Sequence, residues 1–384
     1  MTIIRPHANL YHRRRIMQRS TGELGFYAVS HVWGNAGNNM WDVGSFIHEN
    51  GRPVKPIPMR PEKRNTLLAL LRAHPDSYWW IDVLCVRMDT PLVIMRDIYA
   101  HCNSCIILLD CHPNTIQRLS DPCIEKMWHA INSIRDAYTF GHPPHAKAQV
   151  SEFARTYQKE LDALSTLAHC QWWNRVWTWQ EVVLPGWGFM IAEQSGGEEI
   201  HNAVDLFALK EMARMIHEMS YSFGAECAIV SLFRGTTQLH KMWHELSTTA
   251  AADIGHPVMV ETKLDCNNNC SPLDLLFMFA QSSRRCMDPT DYVYGVLGLL
   301  QMDIPRMNDP HAVWTYFLSQ VEDLVASSSH DHHHRHHCSG IHTTTITLSE
   351  RAKKFDLSKA DNMADVYGGL LYVEYASSSS LQDT

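Results

Sequence analysis

Three short apolar runs in the first third of the chain predict buried strands. They cover residues 26–33 (FYAVSHVW), 78–85 (YWWIDVLC) and 105–109 (CIILL). Nearly every position in them is apolar, and several residues are β-branched or aromatic. Such runs are typical of strands that are covered on both faces.

Helical patterns separate these runs. One helix would begin with a cap at Asn65 or Thr66 and end before Pro75, and another would begin at Pro91 and continue through Tyr99. The alternation of strand and helix implies βαβ units, and therefore a parallel sheet.

Downstream of these units the pattern is mainly helical. Helices are predicted near residues 121–138 and 152–168, a further strand at 187–192, and mostly helix from about residue 200 onward. Residues 327–345 are rich first in serine, then in histidine and then in threonine, which is typical of a disordered insertion or linker. The predicted fold class is α/β, a parallel sheet flanked by helices, followed by a mainly helical C-terminal region.

Net charge and cysteine content indicate which partners and which cellular compartment to expect. The net charge of −8 gives no general attraction to a nucleic-acid backbone. The 11 cysteines are an odd number without a disulfide framework, and neither a signal peptide nor an apolar run of membrane length is found. We therefore expect reduced thiols, a cytoplasmic location, and neither a nucleic-acid nor a membrane partner.

The segment 172–182 (WWNRVWTWQEV) combines four tryptophans with one arginine and one carboxylate. If it is helical, Trp173, Trp177 and Glu181 share one face. A carboxylate beside two indoles is poorly solvated, so its pKa should rise, and it could act as an acid or stabilise developing positive charge. Two structural roles stay open for Glu181, namely pairing with Arg175 and capping a neighbouring helix.

Four segments carry a family resemblance. Residues 27–34 (YAVSHVWG) are similar to Y-A-L-S-Y-V-W-G, residues 80–86 (WIDVLCV) to W-I-D-A-L-C-I-N-Q, residues 175–182 (RVWTWQEV) to R-x-W-T-x-Q-E, and residues 288–299 (DPTDYVYGVLGL) to D-P-R-D-x-V-Y-A-L-L-G-L. In this order the first three resemble the heterokaryon incompatibility (HET) domain of fungal proteins, over about residues 25–190, and the fourth resembles a segment that is common behind that domain. The resemblance implies a role in non-self recognition and programmed cell death.

The chain departs from the family pattern after its second motif. Residues 86–89 (VRMD) lack the Asn-Gln pair, and residues 90–92 (TPL) replace the E-R that usually opens the next helix. If those polar residues help to bind a ligand, binding in this copy is weakened or altered.

HET domains in turn resemble TIR domains, which have a flavodoxin-like parallel sheet. Some TIR domains cleave NAD at the nicotinamide–ribose bond, and their functional glutamate lies in a W-C-x-x-E motif. Trp177 and Glu181 have the same spacing here. The resemblance implies a flavodoxin/TIR-like fold and NAD as a possible substrate, with no cofactor required.

A candidate site follows from these resemblances, because ligands of open parallel sheets bind beyond the carboxyl ends of the strands. Glu181 is the predicted catalytic residue, stabilising oxocarbenium-like charge as glycosidase carboxylates do. The predicted substrate-binding residues could stack on a ring, pair with phosphate or hold hydroxyl groups: Ser30, Trp33, Gly34, Asp82, Arg175 and Trp177. Core packing, helix capping and backbone hydrogen bonds are the structural alternatives for these side chains.

Two patterns suggest metal ligands. One is Cys102-x-x-Cys105 followed by Cys111-His112, and the other is the histidine tract at 330–338. Cys105 opens an apolar strand, where cysteine behaves as a small hydrophobe, and a histidine tract is solvated or binds transition metals only weakly. We predict no metal site.

The predicted organisation has five parts: a lead-in at 1–24, a HET domain at 25–200, a helical region at 201–326, the low-complexity segment at 327–345 and a tail at 346–384. The first functional hypothesis is NAD hydrolysis that depends on Glu181 and on homo-oligomer formation. The competing hypothesis is a non-enzymatic module that signals by association with a partner incompatibility protein. A metal-responsive role of the histidine tract is a third.

Overall fold

The structure is a computed structural model, and it divides the chain into two compact units. One comprises Met1–Asn174 and Gln180–Asn269, and the other comprises Arg175–Trp179 and Cys270–Thr384. The described residues are 2–3, 25–33, 39–43, 55–86, 90, 92, 94–141, 143–195, 202–224, 227–233, 237–251, 272–331 and 344–375. The predicted domain boundaries stay predictions.

A six-stranded sheet forms the centre of the first unit. The strands of this unit are β1 (Thr2–Ile3), β2 (Phe26–His31), β3 (Met40–Trp41), β4 (Ile57–Pro58), β5 (Tyr78–Ile81), β6 (Ser104–Leu109), β7 (Gly188–Ala192) and β8 (Val204–Asp205). The sheet has the order β1-β5-β2-β6-β7-β8, and all pairs are parallel except β7 with β8. β3 and β4 form a separate antiparallel pair.

The four longest strands of the six-stranded sheet follow the order 2-1-3-4 when they are numbered along the chain as β2, β5, β6 and β7. Flavodoxin-like sheets begin with the same order, so the predicted α/β fold with a parallel sheet is confirmed. The chain leaves β2 toward β5 on one side and later reaches β6 on the other. The carboxyl ends of β2 and β6 therefore flank a topological switch point, where open α/β sheets bind ligands.

The apolar runs correctly predicted the strands but not where they end. All six residues of β6 are buried, as expected for a strand between two others. The predicted strand at 78–85 ends at Ile81, because Asp82 begins a short helix and its Oδ1 accepts a hydrogen bond from the Val83 amide at 2.6 Å. Likewise, the first strand ends at His31 and not at Trp33.

Helices cover the sheet of the first unit. They are α1 (Pro61–Ala73), α2 (Asp82–Cys85), α3 (Ile94–His101), α4 (Pro113–Arg118), α5 (Asp121–Thr139), α6 (Pro143–Thr156), α7 (Gln158–Ala168), a 3-10 helix (Gln171–Asn174), α8 (Thr178–Val183), α9 (Leu206–Phe223), α10 (Ala228–Phe233) and α11 (Thr237–Ala251). The prediction that Asn65 or Thr66 caps α1 is wrong. This helix begins at Pro61, since the fixed φ of proline suits a first helical turn.

The tryptophan-rich segment is not one helix, so the predicted common face of Trp173, Trp177 and Glu181 is wrong. Trp173 lies in the 3-10 helix, and α8 begins only at Thr178. Between them the backbone pairs with a distant part of the chain: the Val176 amide donates to the Arg285 carbonyl at 3.1 Å. That bond interrupts the helical hydrogen-bond pattern.

The second unit is mainly helical, as predicted. Its elements are α12 (Pro272–Phe279), α13 (Asp291–Tyr294), α14 (Leu297–Leu300), α15 (Pro310–Asp331), β9 (Thr344–Leu348), α16 (Glu350–Lys353), a 3-10 helix (Leu357–Lys359), α17 (Met363–Tyr367) and β10 (Leu371–Tyr375). β9 and β10 pair as an antiparallel ribbon. Most of the histidine tract lies outside the described residues. Within the described part of both units, no helix has the length and apolar character needed to span a membrane.

Candidate functional site

Polar side chains collect where the parallel strands of the first unit end. Ser30 and His31 are the last residues of β2, Asp82 follows β5, and Glu193 follows β7. All four are buried. Since the carboxyl ends of parallel strands share one edge of the sheet, these side chains line the same edge as the switch point.

Glu181 is tied to this edge through the end of β2. The Ser30 hydroxyl donates to Oε2 of Glu181, and the Tyr99 hydroxyl donates to Oε1 at 3.1 Å. Trp172 Nε1 in turn donates to the Ser30 hydroxyl at 2.6 Å. The side chain of Glu181 is almost enclosed, because the residue is only 4% exposed. Both carboxylate oxygens therefore have a fixed hydrogen-bond donor.

Local structure explains why these donors converge on Glu181. The carboxylate of Asp110, directly after β6, accepts hydrogen bonds from the Gln171 amide at 2.9 and 3.1 Å and so anchors the 3-10 helix that carries Trp172. Tyr99 lies in α3, between β5 and β6. Burial, and then the charges of Glu181 and Asp82, raise the pKa of Tyr99 well above its usual range. Tyr99 therefore stays protonated and keeps its proton for the hydrogen bond.

Asp82 forms a second cluster beside the first. Trp33 Nε1 donates to its Oδ2 at 2.5 Å, and His31 Nε2 lies 3.1 Å from its Oδ1. The ring of Trp33 is 43% exposed although its nitrogen is held. Asp82 is the first residue of α2 and accepts from the Val83 amide, and it also fixes an exposed flat ring at the end of β2. The charges of Asp82 and Glu181 both raise the pKa of Tyr99, so the phenol responds to both clusters.

A buried ion pair supports the backbone next to Trp33. Lys63 Nζ donates to the Val32 carbonyl at 2.5 Å and lies 3.0 Å from Oε2 of Glu193. Arg60 also pairs with Glu193, and the Thr66 hydroxyl donates to the Glu193 carbonyl at 2.9 Å. The cluster joins the end of β2 to the end of β7. The sequence analysis missed these residues, because charged side chains at the start of a helix give no signal of burial.

Arg175 and Trp177 lie in the second unit. The Arg175 carbonyl accepts hydrogen bonds from Arg284 Nη1 at 2.9 Å and from the Thr178 hydroxyl at 2.8 Å. Trp177 donates to the carboxylate of Asp291. Burial raises the pKa of Asp291 to about 6, although the hydrogen bond from Trp177 and the charge of Arg175 lower it.

The structure therefore brings Ser30 to Glu181 and Trp33 to Asp82. Gly34 lies outside the described residues, as do residues 87–89 of the altered segment. Tyr99 and His31 join the clusters although the sequence analysis did not propose them as site residues. The substrate roles of all these residues stay predictions.

The cysteines of the metal-like pattern are free thiols in the core. Cys102, Cys105 and Cys111 are buried, and burial raises the pKa of Cys102 to about 12. Among the described residues there is no group of three or more His, Cys, Asp or Glu side chains that could hold a metal ion. Cys105 lies within β6, where it serves as a small apolar residue.

Comparison with known proteins agrees with the motif resemblance. Residues 26–181 match the family described as Heterokaryon incompatibility protein (HET). No curated protein and no solved structure matches the chain. The matched stretch begins with β2 and ends at Glu181, so it includes both residue clusters at the sheet edge. Residues 26–181 of this chain are thereby identified as a heterokaryon incompatibility (HET) domain.

Proposed function

We propose that this HET protein triggers cell death by hydrolysing NAD at the nicotinamide–ribose bond, with Glu181 as the catalytic carboxylate. One observation carries the proposal: the carboxylate is hydrogen-bonded to Ser30 at the end of β2, beside the switch point of the sheet. Crevices at such points are the usual ligand sites of open α/β sheets.

The chemistry of the reaction suits a fixed carboxylate. Breaking the bond between nicotinamide and ribose develops oxocarbenium-like positive charge on the sugar, which a nearby anion stabilises. Ser30 and Tyr99 would hold the carboxylate in one orientation, and no metal or cofactor is needed. The ring of Trp33, exposed but anchored by Asp82, offers a surface on which nicotinamide or adenine could stack.

Access to the carboxylate is part of the proposal. Glu181 is 4% exposed, so substrate must reach it through an opening of the crevice. We propose that association of several copies of the chain produces this opening. Activity should then rise more steeply than in proportion to protein concentration.

The direct test is nicotinamide release by the purified full-length protein over a wide range of concentrations. Glu181→Gln keeps the shape of the side chain but removes its charge, and it should lower the rate by about 100-fold or more. Glu125→Gln is the matched control, because Glu125 is exposed on α5. Equal release by wild type and Glu181→Gln would remove Glu181 from the mechanism.

The second candidate function is a non-enzymatic module that signals through association with a partner. The observation that favours it is the completeness of the hydrogen bonding: both oxygens of the buried Glu181 already have donors within the fold. Thermal unfolding with added NAD separates the two functions, because a ligand that binds the native state raises the melting temperature. No shift at millimolar NAD, together with no nicotinamide release, would favour the module.

A further inference from the structure

The helix that carries Glu181 begins within the second compact unit. α8 spans Thr178–Val183, and its first two residues belong to the segment 175–179 that groups with residues 270–384. Glu181 lies three positions after Thr178, which is less than one helical turn. Any displacement of the first residues of α8 therefore displaces the carboxylate as well.

Within the second unit, Arg284 holds the segment 175–179 by three different contacts. Its Nη1 donates to the Arg175 carbonyl at 2.9 Å and to the Thr178 hydroxyl. Its guanidinium carbon lies 5.3 Å from the centre of the Trp179 ring, within the range of a cation–π interaction. The residue is 1% exposed, so these contacts form away from bulk water, where they are strongest.

Arg284 is itself fixed by its neighbours in the second unit. The Arg284 amide donates a hydrogen bond to the Ser282 hydroxyl at 3.3 Å, and the Arg284 carbonyl accepts one from the Met363 amide at 2.9 Å. The guanidinium therefore projects from a rigid backbone. A rigid donor of this kind fixes the position of the groups that it binds.

The fourth family motif packs against the same segment. A side chain at Gly295 would meet Val176 Cγ1 at 2.5 Å, so the close approach requires glycine. Trp177 donates to Asp291 of the same motif. The segment 175–179 is thus held by Arg284 and also by two residues of the fourth motif.

We infer that Arg284 is a positioning residue for Glu181. By fastening the first turn of α8 it fixes the orientation of the carboxylate that the same helix carries. The expected effect of Arg284 on catalysis rests on the proposed function, whereas its effect on the position of α8 does not depend on any reaction. A misplacement of about 1 Å in a catalytic group can lower a rate about 100-fold.

The experiment compares three variants of the full chain. Arg284→Ala removes all three contacts. Thr178→Ala removes the hydroxyl that Arg284 binds and that also donates to the Arg175 carbonyl, together with one methyl group. It provides the test if loss of the buried arginine prevents folding. Arg285→Ala is the matched control, because the side chain of Arg285 is exposed and only its backbone carbonyl binds Val176.

Hydrogen exchange gives the structural readout. Exchange in the peptide covering 178–184 should become about 10-fold faster in Arg284→Ala and Thr178→Ala, because a hydrogen bond to a charged group is lost. Exchange in β6 should stay unchanged, and Arg285→Ala should match wild type throughout. Unchanged exchange in α8 for both variants would overturn the inference.

Kinetics give the second readout. If the protein releases nicotinamide, both variants should lower kcat about 10- to 100-fold with KM within about 2-fold, because binding groups remain in place. Arg284→Lys, which keeps the charge, should recover part of kcat. A loss in KM alone, or equal kcat in all variants, would refute the positioning role. If wild type releases no nicotinamide, the proposed function fails while hydrogen exchange still decides the inference.

Discussion

Replacement of Tyr99 by phenylalanine tests the cluster around Glu181 most directly. The change removes only the hydroxyl that donates to Oε1 of Glu181 at 3.1 Å. Tyr99 is 1% exposed and Glu181 4%, so water is poorly placed to supply a new donor. A hydrogen bond to a charged group contributes about 1.5–3 kcal/mol, and Tyr99→Phe should lower the free energy of unfolding at pH 7 by that amount.

The same change has a predictable dependence on pH. The pKa of Tyr99 lies well above its usual range in the folded protein, whereas it is about 10 in the unfolded chain. Above pH 10 the unfolded wild type therefore loses the proton that the folded state keeps, and stability falls by about 1.4 kcal/mol per pH unit. The variant has no such group, so the advantage of wild type should shrink with that slope and vanish at about pH 11 to 12.

Urea unfolding of both proteins between pH 7 and 11 measures this difference. Tyr221→Phe is the control, since Tyr221 is 90% exposed in the same unit and its hydroxyl should matter little. A loss no larger than that of the control at pH 7 would contradict the hydrogen-bond assignment. A difference that does not change with pH would contradict the burial of a neutral phenol.

Other parts of the two units can be tested in the same way. Burial raises the pKa of Asp291 to about 6, so the stability that its neutral form contributes is complete below about pH 4 and is lost as the pH rises through 6. In urea unfolding, Asp291→Asn should therefore be more stable than wild type at pH 7, by up to about 3 kcal/mol, and equal to wild type near pH 3.5. Lys63→Met removes one cation from the buried Glu193 and should cost about 3 kcal/mol or more in the same assay; a loss under about 1 kcal/mol would mean that the pair is not buried in solution. Gly295→Ala should cost about 1–3 kcal/mol because its Cβ meets Val176, and Val176→Ala in the same chain should recover part of the loss; independent, additive effects would argue against the contact.

The strands could be predicted because their signal is local. β6 is buried at every position, and a sequence such as CIILL shows this without knowledge of its neighbours. The end of β5 could not be predicted, because it depends on the direction of one side chain. The Asp82 carboxylate accepts a hydrogen bond from the next amide, at the start of α2, and nothing in the apolar run distinguishes this helix start from a longer strand.

The tryptophan-rich segment was mispredicted for a different reason. Its pattern is helical, but its backbone is bound by Arg284 and Arg285, more than one hundred residues further along the chain. Periodicity reports which face of an element is apolar, and it carries no information about such distant partners. Ser30 and Glu181 are 151 residues apart, and they could be assigned to one site from the sequence only because family motifs include both residues.

The motifs can now be explained by the contacts that their residues make. The first supplies Ser30 and the anchored Trp33, the second supplies Asp82, and the third supplies Glu181, so each gives at least one polar group to the edge of the sheet. The third motif is divided between the two units. Residues 175–179 belong to the second unit, whereas Glu181 belongs to the first and accepts a hydrogen bond from Ser30 there. The fourth motif lies outside the residues matched by the family, yet its Gly295 contacts the third.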